Sequence, residues 1–270
     1  MRYLTIIYFI VSFNVSAQIE IKGQIQNTDN KPIEFVNTGI VGRNIGTISD
    51  EKGSFLLKLS DKNTGDTLTF SRVGFEDKQV PIKDIITQHL TVFKLKEKVN
   101  QLPEIVVSAR TLRIKRIGTK SVNPMLWGNV ESKDKSDIVE FGKLISVERV
   151  SDVQELSVFL KGVNIDTATF RINFYGVKND LPDGRLSEQN IVARRAITHG
   201  WLNLDLKPYK LLFDQDFFVT IEFLPEKTDK KYSFAYGGQL TGSYVSRTAS
   251  LGEWNKTKGV SISMYVTVLQ

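Results

Sequence analysis

The stretch that decides the fold lies within residues 21–95, and its most informative part is the sequence TISDEKGSF at residues 47–55. Residues 50–53 predict a tight turn, because Gly53 can adopt a positive φ and the Asp50 carboxylate can accept hydrogen bonds from nearby amides. After the turn, Phe55, Leu57 and Leu59 recur at every second position. This period of two predicts a strand with one apolar face, so the stretch forms a β-hairpin around the structural turn residues Asp50 and Gly53.

Two segments precede this hairpin. The sequence IKGQI at residues 21–25 predicts an opening strand, and PIEFVNT at residues 32–38 predicts a second one. Together with Thr47, Asp50, Gly53 and Phe55, this order resembles the carboxypeptidase-regulatory-like module, although residues 37 and 38 depart from the pattern of that family. The resemblance implies a transthyretin-like β-sandwich at residues 18–96, of the kind common in envelope proteins of Gram-negative bacteria.

The first 17 residues predict a secretory signal peptide. Arg2 gives the positive start, residues 4–13 form an apolar core, and residues 15–17 (VSA) form a small-residue cleavage site. The chain contains no cysteine, so an exported form would have neither disulfides nor a cysteine-linked lipid anchor. We therefore expect an exported protein in the periplasm or associated with the outer membrane.

Residues 97–119 predict a basic linker. The chain has 36 cations against 30 anions, and five of the cations lie within the eleven residues 110–120, which contain no acid. These five are candidates for contact with an anionic surface, and the alternative is a solvated linker: Arg110, Arg113, Lys115, Arg116 and Lys120. Within the linker, LPEIVVSA at residues 102–109 resembles the segment that includes the TonB box in TonB-dependent receptors. It could pair with a partner's sheet edge, or it could dock on its own module.

From residue 120 onward the chain predicts a second β domain. Leu156, Val158 and Leu160 alternate with other side chains, and residues 170–175 and 260–268 show the same period. Roughly eight strands separated by turns predict a jelly-roll-like β-sandwich at residues 120–270. The fold class is therefore all-β, with a transthyretin-like sandwich followed by a jelly-roll-like one. Because a polar, basic stretch separates them, we expect the two sandwiches to fold independently.

Candidate chemistry is sparse. The chain has two histidines and no cysteine, so we predict no metal, no cofactor and no catalytic residue. Asp137 lies in a lysine-rich loop and is interpreted as a solvated acid, the alternative being a ligand of a calcium site. Three tryptophans are candidates for a ligand platform, because aromatic rings suit the apolar faces of sugars; the alternative is core packing, above all for the second of them: Trp127, Trp201 and Trp254.

These observations favour an exported, non-enzymatic envelope protein that acts as a binding or assembly module for an envelope protein or glycan. Nucleic acid is not an expected partner of an exported chain, whereas peripheral association with the outer membrane is. The first alternative is an accessory hydrolase that acts on glycans through the second domain. The second is a small outer-membrane β-barrel formed by the last 150 residues, which is less favoured because the strands lack regular aromatic girdles.

Overall fold

The computed structural model describes residues 18–98, 112–131, 137–225 and 233–270. The predicted signal peptide, the segment 102–109 and Arg110 lie outside these ranges. In the described residues the chain is nearly all β, which confirms the predicted fold class. Among these residues, no helix is both long and apolar enough to span a membrane.

The first module is a sandwich of two small sheets. The elements of this module are β1 (Gln18–Asn27), β2 (Asn37–Gly39), β3 (Gly46–Ile48), β4 (Ser54–Ser60), a 3-10 turn (Asp61–Asn63), β5 (Thr67–Ser71), β6 (Lys78–Pro81), α1 (Ile82–Thr87) and β7 (Val92–Leu95). A three-stranded sheet has the order β4-β1-β7, and a four-stranded sheet has the order β3-β2-β5-β6. Period-two strands turn their apolar residues inward, and three phenylalanine rings meet in the core with centroids 4.5 to 5.6 Å apart: Phe55, Phe70 and Phe93.

The second domain is a larger two-sheet sandwich. Its strands are β8 (Ile114–Gly118), β9 (Asn123–Glu131), β10 (Val139–Ile145), β11 (Ser151–Gly162), β12 (Thr167–Lys178), β13 (Leu181–Arg185), β14 (Ile191–Ala196), β15 (Gly200–Asp205), β16 (Leu211–Phe213), β17 (Phe217–Leu224), β18 (Ser233–Gln239), β19 (Ser243–Arg247), β20 (Asn255–Lys258), β21 (Ser261–Ile262) and β22 (Met264–Leu269). A 3-10 turn (Lys207–Tyr209) lies between β15 and β16.

Two sheets of this domain enclose one apolar core. The seven-stranded sheet follows the order β13-β12-β17-β10-β19-β20, with β14 also paired to β12. The eight-stranded sheet follows β21-β18-β11-β22-β8, with β15 and β16 also paired to β11, and β9 to β18. Buried residues from both sheets form one cluster, to which β12 contributes Phe170, Ile172 and Phe174, and β11 contributes Leu156, Val158 and Leu160.

The structure differs from the sequence analysis at the basic linker. Residues 114–118 form strand β8, which pairs antiparallel with β22, from Ile114 opposite Leu269 to Gly118 opposite Tyr265. Ile117 packs against the core of the second domain. β8 lies at the edge of its sheet, where basic side chains such as Lys115 and Arg116 are well tolerated.

The two modules share a buried contact. The outer face of the seven-stranded sheet lies against β2 and β3 of the first module, where Ile48, Ile138 and Leu224 form a small apolar cluster. Two glycines allow close approach, because an added Cβ at Gly39 or Gly46 would lie 2.6 or 2.7 Å from the carbonyl oxygen of Ser250. This packing differs from the expectation of two independent sandwiches, since each module buries part of the other.

Candidate functional site

An aromatic row crosses the outer face of the eight-stranded sheet, the face turned away from the apolar core. Phe159 on β11 is the direct cross-strand partner of Trp201 on β15, and their ring centroids are 5.4 Å apart. The Trp201 ring also contacts Tyr265 on β22, at 5.0 Å. The inward positions of β11 are filled by aliphatic core residues, so the period of two places these aromatic side chains on the opposite face.

Trp127 and His199 extend the row at its other end. The Trp127 ring lies 5.9 Å from Phe159 and 5.6 Å from His199, and His199 lies 5.5 Å from Phe159. Trp127 is paired across the strands with Gly237, where an added Cβ would lie 3.0 Å from the Phe159 ring. A glycine at this position therefore leaves the space in which the two rings approach each other.

The row remains accessible to solvent. Trp127, Phe159 and Trp201 are partly exposed and His199 is exposed, whereas Tyr265 at the end of the row is buried. The indole N–H of Trp127 donates to the carbonyl oxygen of Pro124 at 2.9 Å. Single exposed apolar residues are ordinary on a protein surface, but a contiguous run of aromatic rings is not.

Polar and charged side chains surround the rings. Lys161 lies over the Trp127 ring at 5.6 Å, and Arg116 lies over the Tyr265 ring at 5.7 Å, so each end of the row has a cation. Two acids follow on the same face, where Glu155 and Asp205 are direct cross-strand partners. The Ser157 hydroxyl donates to Glu155 at 3.2 Å. The face therefore presents apolar rings bordered by hydrogen-bonding groups of both signs.

The structure brings together two of the three predicted tryptophans. Trp127 and Trp201 both contact Phe159, and Trp201 lies on the outer face rather than in the core. Trp254 lies elsewhere, packed at 5.6 Å from the buried Tyr175 and 4.5 Å from the Arg247 guanidinium. Sequence reasoning missed Phe159. Its position between the core residues Val158 and Leu160 places it on the outward face of the strand, and an aromatic residue on that face could have indicated the row.

The predicted basic cluster separates in the structure. Arg116 joins the aromatic row, whereas Lys115 lies 3.8 Å from Glu148 on the surface. Arg113 precedes β8 and pairs through its backbone with Gln270, and Lys120 is exposed. Only one of these cations therefore contacts the rings.

The turn residues lie in the first module, where Gly53 has a φ of 72° and the Asp50 carboxylate accepts hydrogen bonds from the amides of Lys52 and Ser54.

A second polar constellation is buried between the modules. Four charged residues lie side by side on adjacent strands of the seven-stranded sheet, in the order Arg171 on β12, Glu222 on β17, Glu140 on β10 and Arg247 on β19. Each arginine pairs with its neighbouring glutamate, Arg171 at 2.6 Å and Arg247 at 2.5 Å. All four are buried, and two positive charges balance two negative ones.

The first module completes this charged row. The Arg171 guanidinium donates to the Phe35 carbonyl at 2.7 Å and to the Asn37 amide oxygen at 2.8 Å. The amide nitrogen of Asn37 donates in turn to Glu222 at 3.0 Å. Burial opposes ionisation of Glu222, but the charge and hydrogen bonds of Arg171 outweigh it and lower the pKa of Glu222 to about 2. A fully buried network of this kind serves to hold the modules together, because a substrate cannot reach it.

Asp137 also lies at the contact between the modules, not in solvent as the sequence analysis expected. It is only 6% exposed and accepts the backbone amides of Ile138 at 2.8 Å and Ser250 at 2.9 Å. Burial raises the pKa of Asp137 to about 6, although these hydrogen bonds act in the opposite direction. In the described ranges, no group of three or more potential ligands could hold a metal ion.

Comparisons with known proteins concern mainly the first module. Residues 21–107 match the family model of the CarboxypepD_reg-like domain. A TonB-dependent receptor of Formosa agariphila is 35% identical over 94 residues, which are 35% of this chain and 9% of the receptor. The chain therefore spans about a tenth of the length of this curated relative.

Solved structures resemble the chain only distantly. The clostridial cysteine protease Cwp84 after propeptide cleavage aligns with a TM-score of 0.39 and 8% identity, over 57% of this chain and 40% of that one. A structure of infectious bursal disease virus aligns with a TM-score of 0.26 and 10% identity, over 94% and 79% of the two chains. The family match covers the N-terminal part of the chain, where residues 21–107 are similar to the CarboxypepD_reg-like domain and the described residues 21–98 form a sandwich.

Proposed function

We propose that this chain is an exported, non-enzymatic envelope protein that binds a glycan on the aromatic row of its second domain. The observation that carries the proposal is the run of contacting, partly exposed rings from Trp127 through Phe159 to Trp201, with the buried Tyr265 beneath its end. Flat apolar rings bordered by polar groups match a sugar, which has apolar C–H faces and a rim of hydroxyls.

The polar border supports the same ligand class. Glu155 and Asp205 offer acceptors to sugar hydroxyls, whereas Lys161 and Arg116 offer donors. Glu155 accepts a hydrogen bond from Ser157, and Lys161 and Arg116 each lie over a ring of the row, so this part of the border is in place before a ligand arrives. Preorganisation of this kind lowers the entropic cost of binding.

Envelope association is supported by the N-terminal part of the chain. The arrangement of Arg2, the apolar residues 4–13 and the small residues 15–17 is that of a signal peptide. Residues 21–107 match the family model of the CarboxypepD_reg-like domain, and the curated relative over this region is a TonB-dependent receptor. Export would place the aromatic row where envelope glycans occur.

Binding experiments with the mature protein test this proposal. We expect retarded migration in native gels that contain one of a panel of soluble polysaccharides, and co-sedimentation with an insoluble glycan. Trp201→Ala and Trp127→Ala should each weaken the interaction about tenfold, or about 1.4 kcal/mol. Met125→Ala is a matched control, because Met125 lies on the same strand as Trp127 and is 92% exposed. Equal binding by all variants would refute the proposed site.

One observation favours the hydrolase alternative. Glycoside hydrolysis uses two carboxyl groups on either side of the scissile bond, and Glu155 and Asp205 are paired on the same face as the rings. Release of reducing ends from a bound glycan, lost in both Glu155→Gln and Asp205→Asn while binding persists, would replace the non-enzymatic proposal with this one. We expect no such release.

A further inference from the structure

Two arginines at the contact between the modules have unpartnered buried atoms. Arg72 follows β5 of the first module, and Arg185 ends β13 of the second domain. Among the described residues, the Nε atom of each is buried and has no hydrogen-bond partner. A guanidinium group carries five N–H donors in a planar fork, and buried polar groups are normally paired. The two unpartnered Nε atoms therefore require an acceptor.

Both arginines line the same contact. A terminal nitrogen of Arg185 donates to the Ser71 hydroxyl at 3.3 Å, and Ser71 directly precedes Arg72. The Arg72 guanidinium packs 5.3 Å from the centroid of the Phe75 ring. Further along this segment, the Gly74 amide donates to Glu188, three residues after Arg185. Residues 71–75 of the first module and 185–188 of the second domain thus lie against each other.

Two of the four arginines at this contact have an ion-pair partner among the described residues. Arg171 and Arg247 are neutralised by Glu222 and Glu140, and Glu188 is paired with Lys98 at 2.6 Å. In the parts of the chain that the structure describes, neither Arg72 nor Arg185 forms a salt bridge. Burial lowers the pKa of Arg72, and the nearby charge of Arg171 lowers it further, against the weaker influence of Glu34 and Glu97. An anion at this position would relieve that repulsion.

We propose that Arg72 and Arg185, with the Ser71 hydroxyl, form a binding site for a small oxyanion between the two modules. The chemistry calls for at least two oxygen acceptors, as in a carboxylate, sulfate or phosphate group, because a guanidinium group recognises such ions through paired N–H donors. An anion held by one residue from each module also stabilises their contact, since it binds only the assembled form. This site is separate from the aromatic row and does not depend on glycan binding.

Thermal unfolding with added anions tests the site. We expect sodium sulfate or sodium acetate to raise the melting temperature of the mature protein by about 2–4 °C beyond sodium chloride at matched ionic strength, with saturation. The additional rise should disappear in both Arg72→Gln and Arg185→Gln. Arg195→Gln is the matched control, because Arg195 is exposed on β14 and should keep the rise. A larger effect of sulfate would indicate a tetrahedral ligand, and a larger effect of acetate a carboxylate.

Direct observation of the side chains keeps the proposal testable if a variant does not fold. The Nε–H signals of Arg72 and Arg185, assigned by single arginine-to-lysine changes, should shift saturably in nitrogen–proton correlation spectra as sulfate or acetate is added. Shifts that grow linearly with salt, or a rise in melting temperature that chloride reproduces, would show a general salt effect and overturn the proposal. The absence of any anion-specific change in either measurement would overturn it as well.

Discussion

Glu140 and Glu222 lie directly opposite each other on neighbouring strands, and both side chains are fully buried. Two carboxylates in this position would repel each other, so the structure surrounds them with donors. The amide nitrogen of Asn173 donates to both at 2.9 Å, and one arginine flanks each glutamate. Because Asn37 of the first module also donates to Glu222, the charged row is complete only when the two modules are assembled.

Removal of one charge from this row should lower the stability of the folded protein. In Glu222→Gln the Arg171 guanidinium stays buried without its counter-charge, and we expect a loss of about 3–5 kcal/mol in the free energy of unfolding. Urea denaturation followed by circular dichroism measures this. Glu148→Gln is the control, because Glu148 is largely exposed and its pair with Lys115 should contribute little. Similar losses in the two variants would contradict the structural role of the row.

The modules should unfold together. Asn37 bridges Arg171 and Glu222 across the contact, so Asn37→Ala leaves buried groups of the second domain unpaired, at a cost of about 1–3 kcal/mol. We expect one calorimetric transition in the unmodified protein, and a lower temperature for the whole transition in the variant. Asn255→Ala, on an exposed strand, should have no such effect. Two separate transitions, of which only the first moves, would instead support independent folding.

Asp137 should make the protein more stable as the pH falls below neutrality. Its pKa is about 6 in the folded state against 3.8 ordinarily, so protonation favours the folded form between these values. A difference of this size corresponds to about 3 kcal/mol, gained between pH 7 and pH 4. Urea midpoints over this range should rise on acidification, and the rise should be much smaller in Asp137→Asn. Asp214→Asn, an exposed acid, is the control, and an unchanged profile in Asp137→Asn would contradict the assignment.

Below about pH 4.5 the stability of the folded protein should instead fall as the pH falls. The pKa of Glu222 is about 2 in the folded state against 4.5 ordinarily, so its contribution to stability is present above 4.5 and is lost as the pH falls toward 2. We therefore expect a stability maximum near pH 4–5 and acid unfolding below it. Glu222→Gln should lack the acid-induced decrease, since the titrating group is absent.

The fold class could be predicted from the sequence because it depends on local patterns of apolar residues and turns. Alternation in β4, β11, β12 and β22 predicted their apolar faces, and Gly53 marked the first hairpin. The contact between the modules was not predictable in this way, because it depends on which sheet face covers which. An acidic residue inside an otherwise apolar strand, such as Glu222 in β17, indicates a buried ion pair. The sequence alone does not show which cation pairs with it. The aromatic row likewise needed the strand register, which pairs Phe159 with Trp201 over a separation of 42 positions.

Gly53 should tolerate substitution less well than Gly42, which has a similar backbone conformation but free space around an added Cβ. Gly53 has a φ of 72°, and a Cβ there would lie 2.4 Å from the Ile25 carbonyl oxygen. Gly42 has a φ of 70°, but no atom lies within 4 Å of its added Cβ. We expect both Gly→Val changes to cost about 1–3 kcal/mol in backbone strain, with a further loss at Gly53 alone from the clash. Equal urea midpoints for Gly53→Val and Gly42→Val would contradict this.

Gly237 should control the aromatic row without taking part in binding itself. An added Cβ would lie 3.0 Å from a ring carbon of Phe159 and 3.0 Å from a methyl carbon of Val122, which is closer than ordinary van der Waals contact. In Gly237→Ala we therefore expect Phe159 to move away from Trp127, and glycan binding to weaken severalfold although no ring is removed. Gly65→Ala is the matched control, because no atom lies within 4 Å of its added Cβ. If affinity in the native-gel assay stays unchanged while the near-ultraviolet spectrum reports a displaced tryptophan environment, the contact between Trp127 and Phe159 is not what binds the glycan.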